Sequence, residues 1–139
     1  MMEKNKIHVN VSWTEDNYCC SWEDGQGGVV LVTAKTLQKL KDDFEDSMRL
    51  HIQGCINDGD KFPEYIITGN YDINYDLDAA ALLRNAETYT TMSAISRASG
   101  INQKQLSHYA NGLKHPRSAQ LERIKNGLHV IGSHLLALS

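Results

Sequence analysis

Thr91-Met92-Ser93-Ala94-Ile95-Ser96-Arg97-Ala98-Ser99-Gly100-Ile101-Asn102-Gln103-Lys104-Gln105-Leu106-Ser107-His108-Tyr109-Ala110-Asn111-Gly112 decides the fold of the second half of the chain. A helix from about Met92 to Ser99 stops at Gly100. The next opens on Asn102 as N-cap, with Gln105 three residues on, a pair that satisfies free backbone amides reciprocally. Gly112 then stands where a left-handed residue closes a helix. Two short helices joined at an angle need a small residue where they cross, a glycine at the turn four residues later and an apolar wedge. Ser96 is the small residue, Gly100 the turn, and Ile95, Ile101, Leu106 and Tyr109 the wedge. The stretch reads as a helix-turn-helix.

With that wedge facing inward, the second helix of the motif turns Gln103, Lys104, Ser107, His108 and Asn111 outward. Their donors and acceptors match the base edges of a DNA major groove. Arg97, Lys114 and Arg117 flank the face as phosphate contacts. A lone exposed histidine often does nothing, so His108 ranks below Gln103 and Lys104. The competing reading is an ordinary helical hairpin with a solvated face. Charge argues against it: residues 91–139 carry 6 Lys and Arg against 1 acidic residue, whereas residues 1–90 carry 8 against 16. A basic segment attracts the phosphate backbone, and an acidic one repels it and attracts basic proteins.

Helical patterns continue on both sides of the motif. Upstream, Asp78 caps a helix whose Ala79, Leu82, Leu83 and Ala86 share a face. Downstream, after Lys114-His115-Pro116-Arg117, Ser118 caps a long segment in which Leu121, Ile124, Leu128, Ile131, Leu135 and Leu138 follow three-four spacing. That seam fits a coiled-coil dimer or a helix packed on its own domain equally well, and Gly127 and Gly132 weaken any long straight helix.

Farther upstream the period changes. Ile7, Val9, Val11 and Trp13 alternate with polar residues, Glu15-Asp16-Asn17 turns the chain, and strands follow at Tyr18–Glu23 and Val29–Val32 around a glycine-rich turn, Asp24 to Gly28. Thr36 caps a helix with Leu37, Leu40, Phe44, Met48 and Ile52 on one face; beyond Gly54 a loop runs to Pro63, and a fourth strand spans Tyr71–Leu77. The order βββαβ is an α+β arrangement. Two domains are therefore expected, 1–77 and 78–139, with no Gly/Ser or Pro-rich linker between them.

Several function classes lack their residues. The hydrophobic share of 41% and charged share of 22% are those of a globular protein. No apolar run approaches the roughly 20 residues needed to cross a bilayer, and Met1-Met2-Glu3-Lys4-Asn5-Lys6 has no apolar signal core behind it, so a cytoplasmic protein is expected. Cys19 and Cys20 are adjacent and Cys55 stands apart, which predicts three reduced thiols. Neither a Cys-x-x-Cys nor a His-x-x-x-His pair occurs, and Gly25 to Gly28 has no following Lys-Ser/Thr, so no metal site, cofactor or phosphate loop is expected. Asp16 and Asp24 fall in turns and Asp42, Asp43 and Asp46 on the polar face of a helix. They do not read as a magnesium nuclease site, and no catalytic residue is expected.

The run Ser107-His108-Tyr109-Ala110-Asn111-Gly112 followed by Pro116 resembles the Cro and phage-repressor type of helix-turn-helix, in which Ser-x-Tyr/Trp-x-x-Gly…Pro closes the recognition helix. The resemblance implies base contacts from Gln103, Lys104, Ser107 and His108 and a phosphate contact from Asn111. Ser96 departs from the alanine that family prefers. Together with Gly28-Val29-Val30 through Thr36-Leu37, Met48-Arg49-Leu50-His51 and Tyr71–Leu77, the chain resembles HicB-like antitoxins carrying a repressor-type C-terminal domain. The Leu-Pro-Gly-Cys turn common in them is replaced here by Gly25-Gln26-Gly27-Gly28.

What this resemblance implies is an antitoxin of a type II toxin-antitoxin pair. Its front domain would have a partial ribonuclease H-like fold without nuclease function and would block a small basic HicA-like, RNA-cleaving toxin. Its rear domain would bind a double-stranded DNA operator and repress its own operon, as a homo-oligomer, dimer or tetramer, on half-sites about one DNA turn apart. The alternative is a stand-alone repressor whose α+β domain binds a ligand or mediates assembly.

Overall fold

The computed structural model describes residues 4–139; Met1 to Glu3, where the stretch read for a signal core begins, lie outside the described residues. The architecture is α+β, with a four-stranded mixed sheet and six helices among the described residues. Two compact units divide the chain, Met1–Leu77 and Asp78–Ser139.

The first unit contains β1 (Asn5–Thr14), β2 (Asn17–Glu23), β3 (Val29–Ala34), α1 (Leu37–Asn57), α2 (Glu64–Ile67) and β4 (Tyr71–Leu77), with strand order β3-β2-β1-β4. Alternation decides the faces: Ile7, Val9 and Val11 are buried while Lys6, His8 and Asn10 are exposed. Glu15 and Asp16 form the two-residue turn between β1 and β2 with φ of 50° and 63°, the paired left-handed conformation that matches strand twist. β4 returns parallel to β1, with Ile7 opposite Ile73.

α1 starts where the Thr36 hydroxyl accepts the Lys39 amide at 3.1 Å and buries Leu40, Phe44, Met48 and Ile52. Phe44 meets the Tyr75 ring of β4 edge-on, 6.2 Å between centroids, and the Lys41 ammonium lies 5.2 Å from the centre of the Tyr75 ring. The helix continues past Gly54 to Asn57, beyond the point where glycine predicts a loop. Open space surrounds Gly54, and one interior glycine costs a helix only about 1 kcal/mol, too little to end one anchored by Ile52. α2 also lies where the spacing predicts no helix. A single turn has no periodicity to detect, but it buries Ile66, and Phe62 just before it is also buried.

The β2–β3 turn holds a buried carboxylate. Asp24 is 6% exposed. Its Oδ1 accepts the Gln26 and Gly28 amides at 2.7 and 2.9 Å, and its Oδ2 lies 2.6 Å from His51 Nε2 on α1. Burial pushes the Asp24 carboxyl up, but His51 and the two amides outweigh it and hold it below the usual carboxylate range.

The second unit is helical: α3 (Ala79–Ala86), α4 (Met92–Ser99), α5 (Gln103–Ala110) and α6 (Ser118–Ala137). Its core gathers Leu83, Ile95, Ile101, Leu106, Tyr109 and Ile124. Asp78 caps α3 through the Ala81 amide at 2.9 Å. Two expected caps differ. Asn102 accepts the Gln105 amide at 2.8 Å, but the Gln105 side chain donates to the Tyr109 hydroxyl at 2.8 Å, so only half of the reciprocal pair forms. Ser118 is the first residue of α6 rather than its cap. The ladder begins one residue earlier, with the Leu121 amide on the Arg117 carbonyl at 2.9 Å.

Of the α6 seam, Ile124 is buried, and Leu121, Leu128 and Ile131 pack against the same core; Leu135 and Leu138 are 56% and 85% exposed. The first two-thirds of the seam is thus used within the unit. No helix among the described residues is long and apolar enough to cross a membrane.

Candidate nucleic-acid interface

The angle between α4 and α5 is fixed by hydrogen bonds around one glycine. Thr91 caps α4 through the Ala94 amide at 3.0 Å. Gly100 adopts φ 74°, a left-handed conformation that costs a side-chain-bearing residue roughly 1–2 kcal/mol, and its amide returns to the Ser96 carbonyl at 2.9 Å. Across the turn the Ser96 hydroxyl donates to the Ile101 carbonyl at 2.6 Å, while the Ser99 hydroxyl accepts the Ile101 amide at 3.2 Å. A hydroxyl at position 96 therefore adds a tie that alanine could not make.

Arg123 completes the corner. From α6 its Nη2 donates to the carbonyls of Ser99 and Gly100 at 3.4 and 3.1 Å, placing a cation on the negative end of α4. Sequence reasoning missed this residue, because nothing local links position 123 to a turn at position 100. Arg84 was missed for the same reason. Its Nη2 donates to Asn111 Oδ1 at 3.4 Å, and Asn111 Nδ2 donates to Ser107 Oγ at 3.4 Å, so Asn111 is oriented from two sides.

Gln103, Lys104 and Ser107 are exposed on α5, beginning at its amino-terminal end, where backbone N–H groups favour an anion. Asn111 is exposed just beyond the helix. His108 departs from the expected outward face. It is half-buried, and its Nδ1 is enclosed without a hydrogen-bond partner among the described residues. Past Gly112 the chain doubles back, with the Leu113 and Lys114 amides donating to the His108 carbonyl at 2.9 and 3.3 Å, so this helical position is less open than its spacing implies.

The three flanking cations do not form one set. Lys114 and Arg117, both exposed, line a shallow groove with Gln105, Tyr109 and Gln120 beside the end of α5. Arg97 donates to Ser93 Oγ at 2.9 Å and lines a separate cleft with Ala94, Val130 and His134. Residues 91–121 contain no Asp or Glu, so both clefts are free of acids from the motif itself. No protein-family model, curated protein or solved structure matches the chain.

Proposed function

We propose that the protein is a HicB-like antitoxin that binds operator DNA through α4 and α5 and represses its own operon. One observation carries the DNA-binding part. α5 leaves a glycine turn held by Ser96, Ser99 and Arg123 and carries Gln103, Lys104 and Ser107 exposed in a segment without a carboxylate. Such a helix supplies hydrogen-bonding groups to base edges, and Lys114 and Arg117 beside it supply charge to phosphates.

The antitoxin part rests on the front unit. A three-strand meander, a helical crossover and a fourth strand parallel to β1 support a partial ribonuclease H-like reading. Its excess of acidic residues is complementary to a small basic HicA-like toxin whose surface accommodates RNA, and such complementarity speeds association. Asp42, Asp43 and Asp46 lie along α1, where Lys39 and Arg49 pair with two of them, the pattern of a solvated helix face rather than a nuclease centre.

Footprinting of the full chain on the DNA upstream of its own gene tests the reading. The chain should protect a palindromic site with half-sites about one helical turn apart, Lys104→Ala should weaken it, and Gln103→Ala should relax preference at one base pair. Equal protection by both variants and the parent would remove α5 as the reading helix. Co-expression with the adjacent gene product, followed by size-exclusion chromatography, tests the toxin partnership; absence of a complex favours the stand-alone repressor.

A further inference from the structure

His51 and Cys55 stand four residues apart on α1, the spacing that puts two side chains on one helical face, and Asp24 reaches them from the β2–β3 turn. One ligand atom from each lies within 4.8 Å of the other two. His51 Nε2 is 2.6 Å from Asp24 Oδ2 and 3.6 Å from Cys55 Sγ. Both partners meet the same ring nitrogen. A Cys-His-Asp nucleophile would need them on opposite nitrogens, so that the carboxylate orients the ring while the other nitrogen takes the thiol proton. Convergence on one nitrogen instead marks a point that three donors face together.

We propose that Asp24, His51 and Cys55 form a zinc-class metal site of three protein ligands, with the fourth position left to water, that pins the β2–β3 turn to the carboxyl-terminal end of α1. The donor set of one imidazole, one thiol and one carboxylate suits a borderline ion such as zinc and not magnesium or calcium, which prefer oxygen alone. Zinc bonds of about 2.0 Å to nitrogen and 2.3 Å to sulfur place tetrahedral N and S ligands about 3.5 Å apart, close to the separation of His51 Nε2 and Cys55 Sγ. The His51–Asp24 contact opens by about 0.7 Å as the metal takes the place of a proton at Nε2, the neutral ring keeping its one proton on Nδ1, and the Cys55 thiol releases its proton to solvent.

Two further features fit. Asp24 Oδ1 is already committed to two backbone amides, which fixes the buried carboxylate with Oδ2 toward the histidine. Gly28 needs its missing side chain for space alone: a Cβ there would fall 2.8 Å from the His51 ring and against Asp24 Oδ2.

Cobalt(II) titration of the full chain, free of any histidine tag and stripped with a chelator, is the test. One equivalent should bind with the visible bands of tetrahedral cobalt and a thiolate charge-transfer band, and zinc should displace it. Cys55→Ala should abolish the thiolate band and weaken zinc binding about tenfold or more, His51→Gln should weaken it similarly, and Cys19→Ala should change neither. Far-UV circular dichroism identifies the folded variants to be compared. Absence of stoichiometric binding overturns the site, as does a thiolate band that survives Cys55→Ala or disappears in Cys19→Ala.

Discussion

Gly127 of α6 rests directly on Ser99 of α4: a methyl group at position 127 would lie 3.0 Å from the Ser99 nitrogen, Cα and Cβ. The neighbour is mainly backbone and belongs to the same corner that Arg123 ties down. Gly127→Ala gains about 1 kcal/mol of helix propensity but meets overpacking of about 1–3 kcal/mol, so a lower urea midpoint is expected. Gly132, five residues on in the same helix, has nothing within 4 Å. Gly132→Ala should gain about 0.8–1 kcal/mol of stability and so raise the midpoint; two variants moving in the same direction would contradict this packing.

Ser96→Ala removes the hydroxyl that bridges the turn to Ile101. A neutral hydrogen bond of this kind is worth about 0.5–1.5 kcal/mol, and the variant should lose that much in equilibrium unfolding while far-UV circular dichroism stays unchanged. A variant as stable as the parent would mean that water replaces the bond.

Lys114 and Arg117 are assigned to phosphates, which fixes the form of their effect. Lys114→Ala and Arg117→Ala should each lower the slope of log affinity against log salt by about 0.9 and weaken binding alike on operator and unrelated DNA. A change in sequence preference would show base contact instead.

Adjacent cysteines of β2 should differ in reactivity. Cys20 faces the core at 2% exposure, and burial, with neighbouring Cys19 adding to it, pushes its thiol up to about 11. Cys19 points to the other face, 3.0 Å from Ser12 Oγ. Iodoacetamide near pH 8, read by peptide mass spectrometry, should label Cys19 and spare Cys20 in the folded chain; equal labelling would contradict the facing of β2.

Period and punctuation make most elements legible in the sequence. β4 and α4 have the bounds that alternation and caps gave, and the meander differs only at strand ends. Short or compensated features were not legible: α2 is too brief for a period, and Gly54 hid the last turn of α1. At the candidate DNA-binding face, exposure of Gln103, Lys104 and Ser107 followed from helical spacing. The half-burial of His108 did not, since it depends on how the chain returns after Gly112. Arg84 and Arg123 act across 27 and 23 or 24 residues, and contacts of that range leave no local mark. The sequence marks Asp24 as a turn residue, which it is, but its burial depends on a histidine 27 positions away.

The two partners of β1 become available at very different moments of synthesis. β2 follows within a two-residue turn, and such hairpins close in roughly 1–10 μs. β4 is made only after α1 and α2, so until then the other border of β1 presents unsatisfied amides and carbonyls, a template for pairing with another nascent chain. The ribosome must release Leu77 before that border can be sealed, and the vulnerable interval lasts as long as residues 15 to 77 take to be translated.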